Sequence, residues 1–521
     1  MSKIKKQDIL LCSIAGIIYP LTFMIPYIGI VSFILLIPFF ISLQNKNPWN
    51  SFKLGTLTGT LVNLIGTYWL IETLTRFGGF PTPISFILIV FLSIYSGFQI
   101  GLFALITSKF QLFNKKGILP ALVIASIWTS LEYLFPLLFP YGIANTVSNY
   151  LPLIQVFDLF GIYFLSFIIV LVNVTVYKVF SSYKTREFQI PEIAVTVVLI
   201  TLVLIYGIYK INYEEKKIAE AQKLKVGLVQ ANFDFFEKNE NLEPIVTKKH
   251  QEMSKDLEDV DLIIWPETAI QVFFPTSTTH LEYEGEISIP NIMDKYFLVG
   301  AMSYHAKDGD YDNLQPNNLI QYNTAYFTNS NGEILGRYHK IKLLLFGEYL
   351  PFSNYFPILK QLSPASGDFT PGNEFDLFEI KEKGVKIAPI ICYEDIIPWF
   401  SRKFVNNGAN LIINITNDAW FGRTVAPYQH LFISIPRAIE TRKYLIRSTN
   451  TGISAIIDPI GRVVTKTNTF EETNLISDVG IMDGEKTLYT RIGDVFPISC
   501  SLFWIGYLVV IKLRRNNIRQ G

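Results

Sequence analysis

The sequence is short of charge. Asp, Glu, Lys and Arg make up only 17% of its 521 residues, where about a quarter is usual for a soluble protein. The formal net charge is +1, so composition gives no argument for nucleic acid as a partner. Cysteine is scarcer still. There are three, Cys12, Cys392 and Cys500, with no C-x-x-C and no pair that suggests a disulfide framework. No His/Cys cluster of zinc-site spacing is present, so neither a metal nor another cofactor is expected. Internal repeats and low-complexity tracts are absent. No small-residue cleavage site follows the first apolar run, which argues against a signal peptide.

What the chain has instead is hydrophobicity: 50% of residues are hydrophobic and 14% aromatic. At 521 residues it is too long for one ordinary domain. Apolar segments lie at about 9–24, 27–43, 55–74, 85–108, 117–135, 159–180, 191–212 and 495–513. A span needs roughly 20 residues at about 1.5 Å each, and eight spans are expected. With a cytoplasmic N-terminus, the inner loops carry Lys46, Lys53, Lys109, Lys115, Lys116, Lys178, Lys184 and Arg186, and the C-terminus carries Lys512, Arg514, Arg515 and Arg519. The short outer loops carry only Arg76. Such asymmetry sets orientation, and it places the large stretch between spans seven and eight outside the cytoplasm. Glu72, Glu132 and Asp158 fall in or beside spans, where a charge faces a cavity, a partner or the headgroup interface.

That stretch alternates short apolar runs with polar helical patterns. Leu224 to Gln230, Asp261 to Trp265, Tyr296 to Met302, Val385 to Ile391 and Leu411 to Thr416 read as buried strands. Glu243 to Leu257 and His430 to Tyr444 read as helices, and residues 350–384 as a long ordered loop. Strands alternating with helices argue for an α/β layered domain. The expected division is a transmembrane domain over 1–212, an extracytoplasmic catalytic domain over 213–493, and a last span with a basic cytoplasmic tail over 494–521.

Three strand ends carry chemistry. Cys392 ends one strand and Tyr393-Glu394-Asp395 follow at once. A buried small hydrophobe is the commoner fate of a lone cysteine, but here a thiol at a strand edge has company. Glu267 stands just past Trp265, placed to act as a general base if burial raises its pKa. In Tyr338-His339-Lys340-Ile341-Lys342, followed by Phe346-Gly347-Glu348, either lysine can stabilise a thiolate or an oxyanion. Spacing alone does not choose between Lys340 and Lys342. Asn417-Asp418-Ala419-Trp420-Phe421-Gly422, Arg437 with Glu440, and Arg447 through Ser454 read mostly as scaffold that shapes a pocket wall.

In combination these motifs resemble the Glu-Lys-Cys triad of the nitrilase (carbon–nitrogen hydrolase) superfamily. With the spans around them, the chain resembles the apolipoprotein N-acyltransferase family. That family places its lysine eight residues before the Glu of Phe-Gly-Glu, which selects Lys340. Phe139-Pro140, Gln155, Gly161 and Ser166-Phe167 match more loosely. The chain departs at Lys342, Leu345 and Asn239, where relatives usually carry His, Pro and Trp.

The resemblance implies a helical membrane domain of about eight spans joined to a nitrilase-like αββα sandwich. It implies Cys392 as nucleophile, Glu267 as base and Lys340 as oxyanion partner, with Tyr393, Glu348 and Glu394 in support. It also implies transfer of the sn-1 acyl chain of a phospholipid, through a thioester, to the α-amino group of a diacylglyceryl-cysteine apolipoprotein. The expected setting is a monomer in the bacterial inner membrane with its catalytic domain in the periplasm. Phe273 and Phe274, after the Glu267 turn, and Phe356, after Glu348, are expected to line substrate access from the bilayer. A membrane-tethered amidase acting on a small amide and a non-catalytic lipid- or peptide-binding protein remain open at this point.

Overall fold

In the computed structural model of the chain, residues 3–25, 27–182, 190–233, 242–283, 286–290, 292, 294–307, 309, 318–349, 355 and 367–520 are described. They form two compact units. One comprises Met1–Leu70, Pro83–Asn212 and Ile492–Gly521; the other comprises Ile71–Thr82 and Tyr213–Arg491. The short excursion Ile71–Thr82 into the second unit has no counterpart in the expected boundaries.

The first unit is helical. Lys6–Met24, Thr82–Lys109, Ile162–Ser182, Ile190–Glu220 and Val495–Arg514 are long and apolar enough to cross a membrane. A sixth span results if Pro48–Gly66 and Leu70–Arg76, bent by 57°, count as one. Against the eight expected spans, five or six helices among the described residues have the full length, and Ile28–Ser42, Ile118–Leu134 and Leu151–Phe160 are shorter apolar helices. Residues 28–42 are apolar but broken into a 3₁₀ turn, Ile28–Phe33, and a six-residue helix, Ile37–Ser42, with Pro38 in its first turn. Ile118–Leu134 is a continuous helix of 17 residues.

Small residues set the packing of this unit. Gly55 and Gly59 on one helix meet Gly97 and Gly101 on another, and a Cβ at Gly59 would lie 2.7 Å from the Gly97 Cα. Gly-x-x-x-Gly on both partners lets two apolar helices bring their backbones into contact, the main attraction available where lipid is as apolar as leucine. Several buried charges in this unit are partnered. Lys178 pairs with Glu192 at 2.6 Å and Asp8 with Lys46 at 2.7 Å. Glu132 accepts from Trp128 Nε1 and the Ile143 N–H. Asp158 accepts from the Tyr206 hydroxyl.

The second unit is built on two sheets. The first runs β15-β1-β2-β6-β7-β8, with β3 also paired to β6. Its strands are β1 (Lys223–Gln230), β2 (Leu262–Ile264), β3 (Ile270–Pro275), β6 (Tyr296–Ala306), β7 (Leu319–Asn329), β8 (Ile334–His339) and β15 (Thr473–Gly480). The second runs β14-β13-β12-β11-β10-β9, from β9 (Phe378–Ile380), β10 (Val385–Ile391), β11 (Leu411–Thr416), β12 (Tyr444–Thr449), β13 (Ala455–Ile457) and β14 (Val463–Lys466). Two short strands, β4 (Glu282–Tyr283) and β5 (Glu286–Ile287), pair only with each other.

The two sheets face each other. The Ser448 hydroxyl on β12 donates to the Ile264 carbonyl on β2, and Tyr338 on β8 reaches Glu394 just past β10. Helix Leu242–Ser254 covers the first sheet, and Pro398–Asn406 and Ala426–Thr441 cover the second, completing an αββα sandwich. The central strands β2, β11 and β12 are buried at every position, as expected for parallel strands covered on both faces. Trp265 anchors the core of the first sheet, fully buried, with its indole N–H on Ser254 Oγ.

Two differences from the sequence reading have local causes. The second-sheet helix stops at Thr441 rather than continuing to Tyr444, because Arg442 adopts a left-handed conformation (φ 53°) and Tyr444 begins β12. Within 350–384, much of which lies outside the described residues, Phe378–Ile380 forms an edge strand against β10.

Candidate active site

Each candidate residue follows the carboxyl end of a strand. Glu267 comes three residues after β2, Lys340 directly after β8, Cys392 directly after β10 and Asn417 directly after β11. In layered α/β domains such ends are where loops can converge without breaking sheet hydrogen bonds. The Glu267 turn presses on β6 so closely that a Cβ on Gly300 would lie 2.5 Å from the Pro266 carbonyl oxygen. Only glycine fits there.

Lys340 is the centre of the site. It is 1% exposed. Its ammonium lies 3.2 Å from Glu267 Oε1 and 2.8 Å from Glu348 Oε1. Asn323 on β7 donates from Nδ2 to the same two oxygens, at 2.7 and 2.9 Å. The other oxygen of Glu267 accepts from the Asn417 N–H at 3.0 Å, and that of Glu348 from the Leu344 N–H at 2.8 Å. Both carboxylates are thus held at both oxygens. Lys342 is elsewhere: its ammonium lies 5.1 Å from the centre of the Trp399 ring.

Burial by itself would drive the Lys340 ammonium toward neutrality, but Glu267 and Glu348 together hold its pKa well above the ordinary value. Burial raises Glu267 above the usual carboxylate range; Lys340 opposes the rise and Glu348 adds to it. Burial also pushes the Cys392 thiol far up, Glu267 pushes the same way, and Lys340 pulls back. The resting sulfur is therefore a thiol beside a carboxylate of raised basicity and a fixed cation. That arrangement suits proton transfer during attack rather than a stored thiolate.

Cys392 sits at φ 52°, in the left-handed region that a side chain other than Gly, Asn or Asp seldom adopts. Strain of this kind persists only where neighbours over-determine it. Here Asn414 on β11 donates to the Cys392 carbonyl at 3.0 Å. Glu394, fully buried, braces the same turn. It accepts from the Ile391, Ile341 and Lys342 N–H groups and from the Tyr338 hydroxyl, all at 2.8–2.9 Å. Burial lifts it to about 7 despite the donors. Glu394 therefore ties the turn carrying Cys392 to the loop carrying Lys340. Tyr393, half-buried, is the next residue after the thiol in that turn.

Residues 15–175 match the apolipoprotein N-acyltransferase N-terminal domain, and residues 225–487 match the carbon-nitrogen hydrolase family. An apolipoprotein N-acyltransferase of Geobacter metallireducens is 31% identical, over 99% of this chain and 97% of its own. One from Rickettsia prowazekii is 32% identical, over 97% of each. The chain belongs to the apolipoprotein N-acyltransferase family. Among solved structures, a nitrilase-superfamily member of Saccharomyces cerevisiae superposes on 50% of this chain and 90% of its own, with 18% identity and a TM-score of 0.35. Of the three readings open from sequence, membership selects the acyltransferase: a membrane protein that acts in lipoprotein N-acylation.

In this N-acyltransferase several contributors carried no sequence signal. Asn323 is an unremarked position in mid-strand, and Asn417 acts on Glu267 through its backbone. Glu72, expected near a span, belongs with the catalytic unit. It pairs with Arg76 at 3.3 Å, and its side chain abuts Gly422. The neighbouring Phe77 packs edge-on against Trp420, with ring centres 4.0 Å apart.

The access residues divide. Phe274 is 2% exposed and packs against Tyr326 in the core of the first sheet. On β3 it alternates with Phe273, which is 36% exposed. Phe356, like Lys238 and Asn239, lies outside the described residues. Phe274→Ser is expected to cost about 3–5 kcal/mol of stability, and Phe273→Ser less than about 1 kcal/mol, measured by thermal unfolding in detergent. Equal losses would remove this distinction.

Proposed function

We propose that this acyltransferase takes the sn-1 acyl chain of a membrane phospholipid onto Cys392 and passes it to the α-amino group of a diacylglyceryl-cysteine at the start of an apolipoprotein. The observation that carries the reading is the Lys340 ammonium, fixed between Glu267 and Glu348 at the strand ends where Cys392 lies. As the sulfur attacks the ester carbonyl, its proton passes to Glu267. The oxyanion is stabilised by Lys340 and the backbone N–H of Tyr393. Collapse returns the proton to the departing lysophospholipid alcohol and leaves a thioester. The acceptor amine then attacks the thioester, gives its proton to Glu267, and the thiol is restored as the amide forms.

A thioester suits this sequence because one site must serve an oxygen leaving group and then an amine nucleophile. Glu348 and Glu394 act as positioning residues for Lys340 and the nucleophile turn. The direct test is intact-mass analysis after incubation with phospholipid vesicles. One acyl chain is expected on Cys392, discharged by a diacylglyceryl lipopeptide. An active protein that never carries the adduct would sink the thioester route.

We further infer that the enzyme acts as a monomer in the bacterial inner membrane with its second unit in the periplasm. The lysine and arginine asymmetry of the short loops supports the orientation. A membrane-impermeant thiol reagent applied to intact spheroplasts is expected to label Asp259→Cys, where the native side chain is 95% exposed, and to spare Lys116→Cys. The reverse pattern overturns the orientation. A protein mass above 59.5 kDa in active detergent-solubilised particles overturns the monomer.

A further inference from the structure

A buried charged network lies between the second sheet and helix Ala426–Thr441, and the chemistry above makes no use of it. Its centre is His430. One ring nitrogen, Nδ1, lies 2.8 Å from Asp418 Oδ1; the other, Nε2, lies 3.0 Å from Asp395 Oδ1. The second oxygen of Asp395 pairs with the Arg447 guanidinium. Asp395, Asp418 and Arg447 are fully buried and His430 is 9% exposed. The edge of Phe421 closes over the imidazole.

The two carboxylates are not random partners. Asp395 shares the 3₁₀ turn Cys392–Ile396 with the nucleophile. Asp418 directly follows Asn417, whose N–H holds Glu267 Oε2, and opens the turn Asp418–Phe421. Arg447 stands opposite Asn414 in the β11–β12 register, and Asn414 holds the Cys392 carbonyl. One imidazole thus spans the turn that carries the thiol and the turn that anchors the base. Charged groups sunk this deep are expensive and add little net stability, so folding alone gives a weak reason for them.

We propose that His430 is a positioning residue for acyl transfer, setting the separation of the nucleophile turn and the base turn through Asp395 and Asp418. This rests on the roles proposed above for Cys392 and Glu267. The network predicts different consequences for its two halves. Releasing the Asp418 side loosens the Asn417 N–H bond to Glu267. A hydrogen bond to a carboxylate favours its ionised form, so losing it raises the Glu267 pKa. The acid limb of the rate profile then moves to higher pH. Releasing the Asp395 side shifts Cys392 and slows attack without touching the base. Besides Asn323 and the Asn417 N–H, the charged or titrating groups acting on Glu267 are Lys340, Glu348 and Cys392; Lys340 and Glu348 stay in place in both variants, and Cys392 moves only when the Asp395 side is released.

Two substitutions separate the halves in the full-length enzyme. The Gln amide takes the place of Nε2, so His430→Gln keeps Asp395 and frees Asp418. The Asn amide takes the place of Nδ1, so His430→Asn keeps Asp418 and frees Asp395. Both remove the same ring. The readout is the single-turnover rate of Cys392 acylation from phospholipid vesicles across pH. Both variants are expected to acylate ~10- to 100-fold more slowly, with half-saturation by phospholipid within about twofold of wild type. The acid limb of His430→Gln is expected to lie at least ~0.5 pH unit above that of His430→Asn.

Superimposable pH profiles, or wild-type rates in both variants, overturn the proposal. If one variant fails to fold, the other is judged against wild type: an acid limb in place for Asn, displaced for Gln. Failure of the underlying reading looks different, because wild-type enzyme would then form no adduct, or Glu267→Gln would keep the wild-type acid limb.

Discussion

Alanine at Cys392 is expected to abolish the acyl adduct and to cut transfer to a diacylglyceryl lipopeptide by at least about 10³-fold, while Cys12→Ser and Cys500→Ser stay active. The three thiols differ in surroundings. Cys12 lies in an apolar helix with its sulfur 3.0 Å from Ser42 Oγ, and Cys500 is buried in the C-terminal helix. Cys392 alone sits in a left-handed turn under the influence of a carboxylate and a lysine. Serine at 392 is also expected to be inactive. A hydroxyl is far less acidic than a thiol, and Glu267 is not basic enough to carry its proton. The check is intact mass after exposure to phospholipid, together with triacylation of the lipopeptide. Substantial turnover by either 392 variant removes the covalent route.

Lys340→Ala is the second large effect. It is expected to slow Cys392 acylation by about 10³-fold and to destabilise the fold by about 3–5 kcal/mol, because it leaves buried Glu267 and half-buried Glu348 facing one another. Protonation of one of them then becomes the easiest relief. Lys340 lowers the Glu267 pKa in the intact enzyme, so its loss raises that pKa further. Since the base works ionised, activity falls as pH drops through this value, and the acid limb moves upward in the variant. Lys342→Ala serves as the contrast. Its backbone N–H still reaches Glu394, and what is lost is an ammonium over Trp399 worth about 0.5–1 kcal/mol at a surface site. Acylation within about threefold of wild type is expected. Equal damage from the two substitutions, measured by rapid-quench acylation and thermal unfolding, would return the choice of lysine to where spacing leaves it.

Strand ends were the legible part of the site. The runs ending at Trp265 and Ile391 are apolar, buried and stopped by polar residues, so the positions of Glu267 and Cys392 at strand edges followed from local pattern. The partners of those residues were not legible. Glu267 depends on Asn323 from β7 and on Asn417 just past β11, which stand 56 and 150 residues away. No local periodicity encodes such a distance. The aromatic pair 273–274 shows the same limit within two residues: both read as apolar, and only the pleat of β3 assigns one to the core and the other outward. The continuity of the apolar segments was illegible for a related reason. Hydropathy registers apolar content, while Pro38 and the 3₁₀ geometry of Ile28–Phe33 decide whether that content forms one long helix.

By itself the sequence determined the class of this protein: a chain too apolar to be soluble, with one polar α/β region and a Glu, a Lys and a Cys at the right kinds of strand end. These are properties of composition, period and order, which each segment carries alone. Only the tertiary structure decided which lysine is buried between two carboxylates, that Glu394 and His430 bind separate turns together, and that Ile71–Thr82 belongs to the catalytic unit. Those outcomes depend on which distant groups share a low-dielectric interior. There a charge is tolerated only beside its partner, and the fold is what supplies the partner.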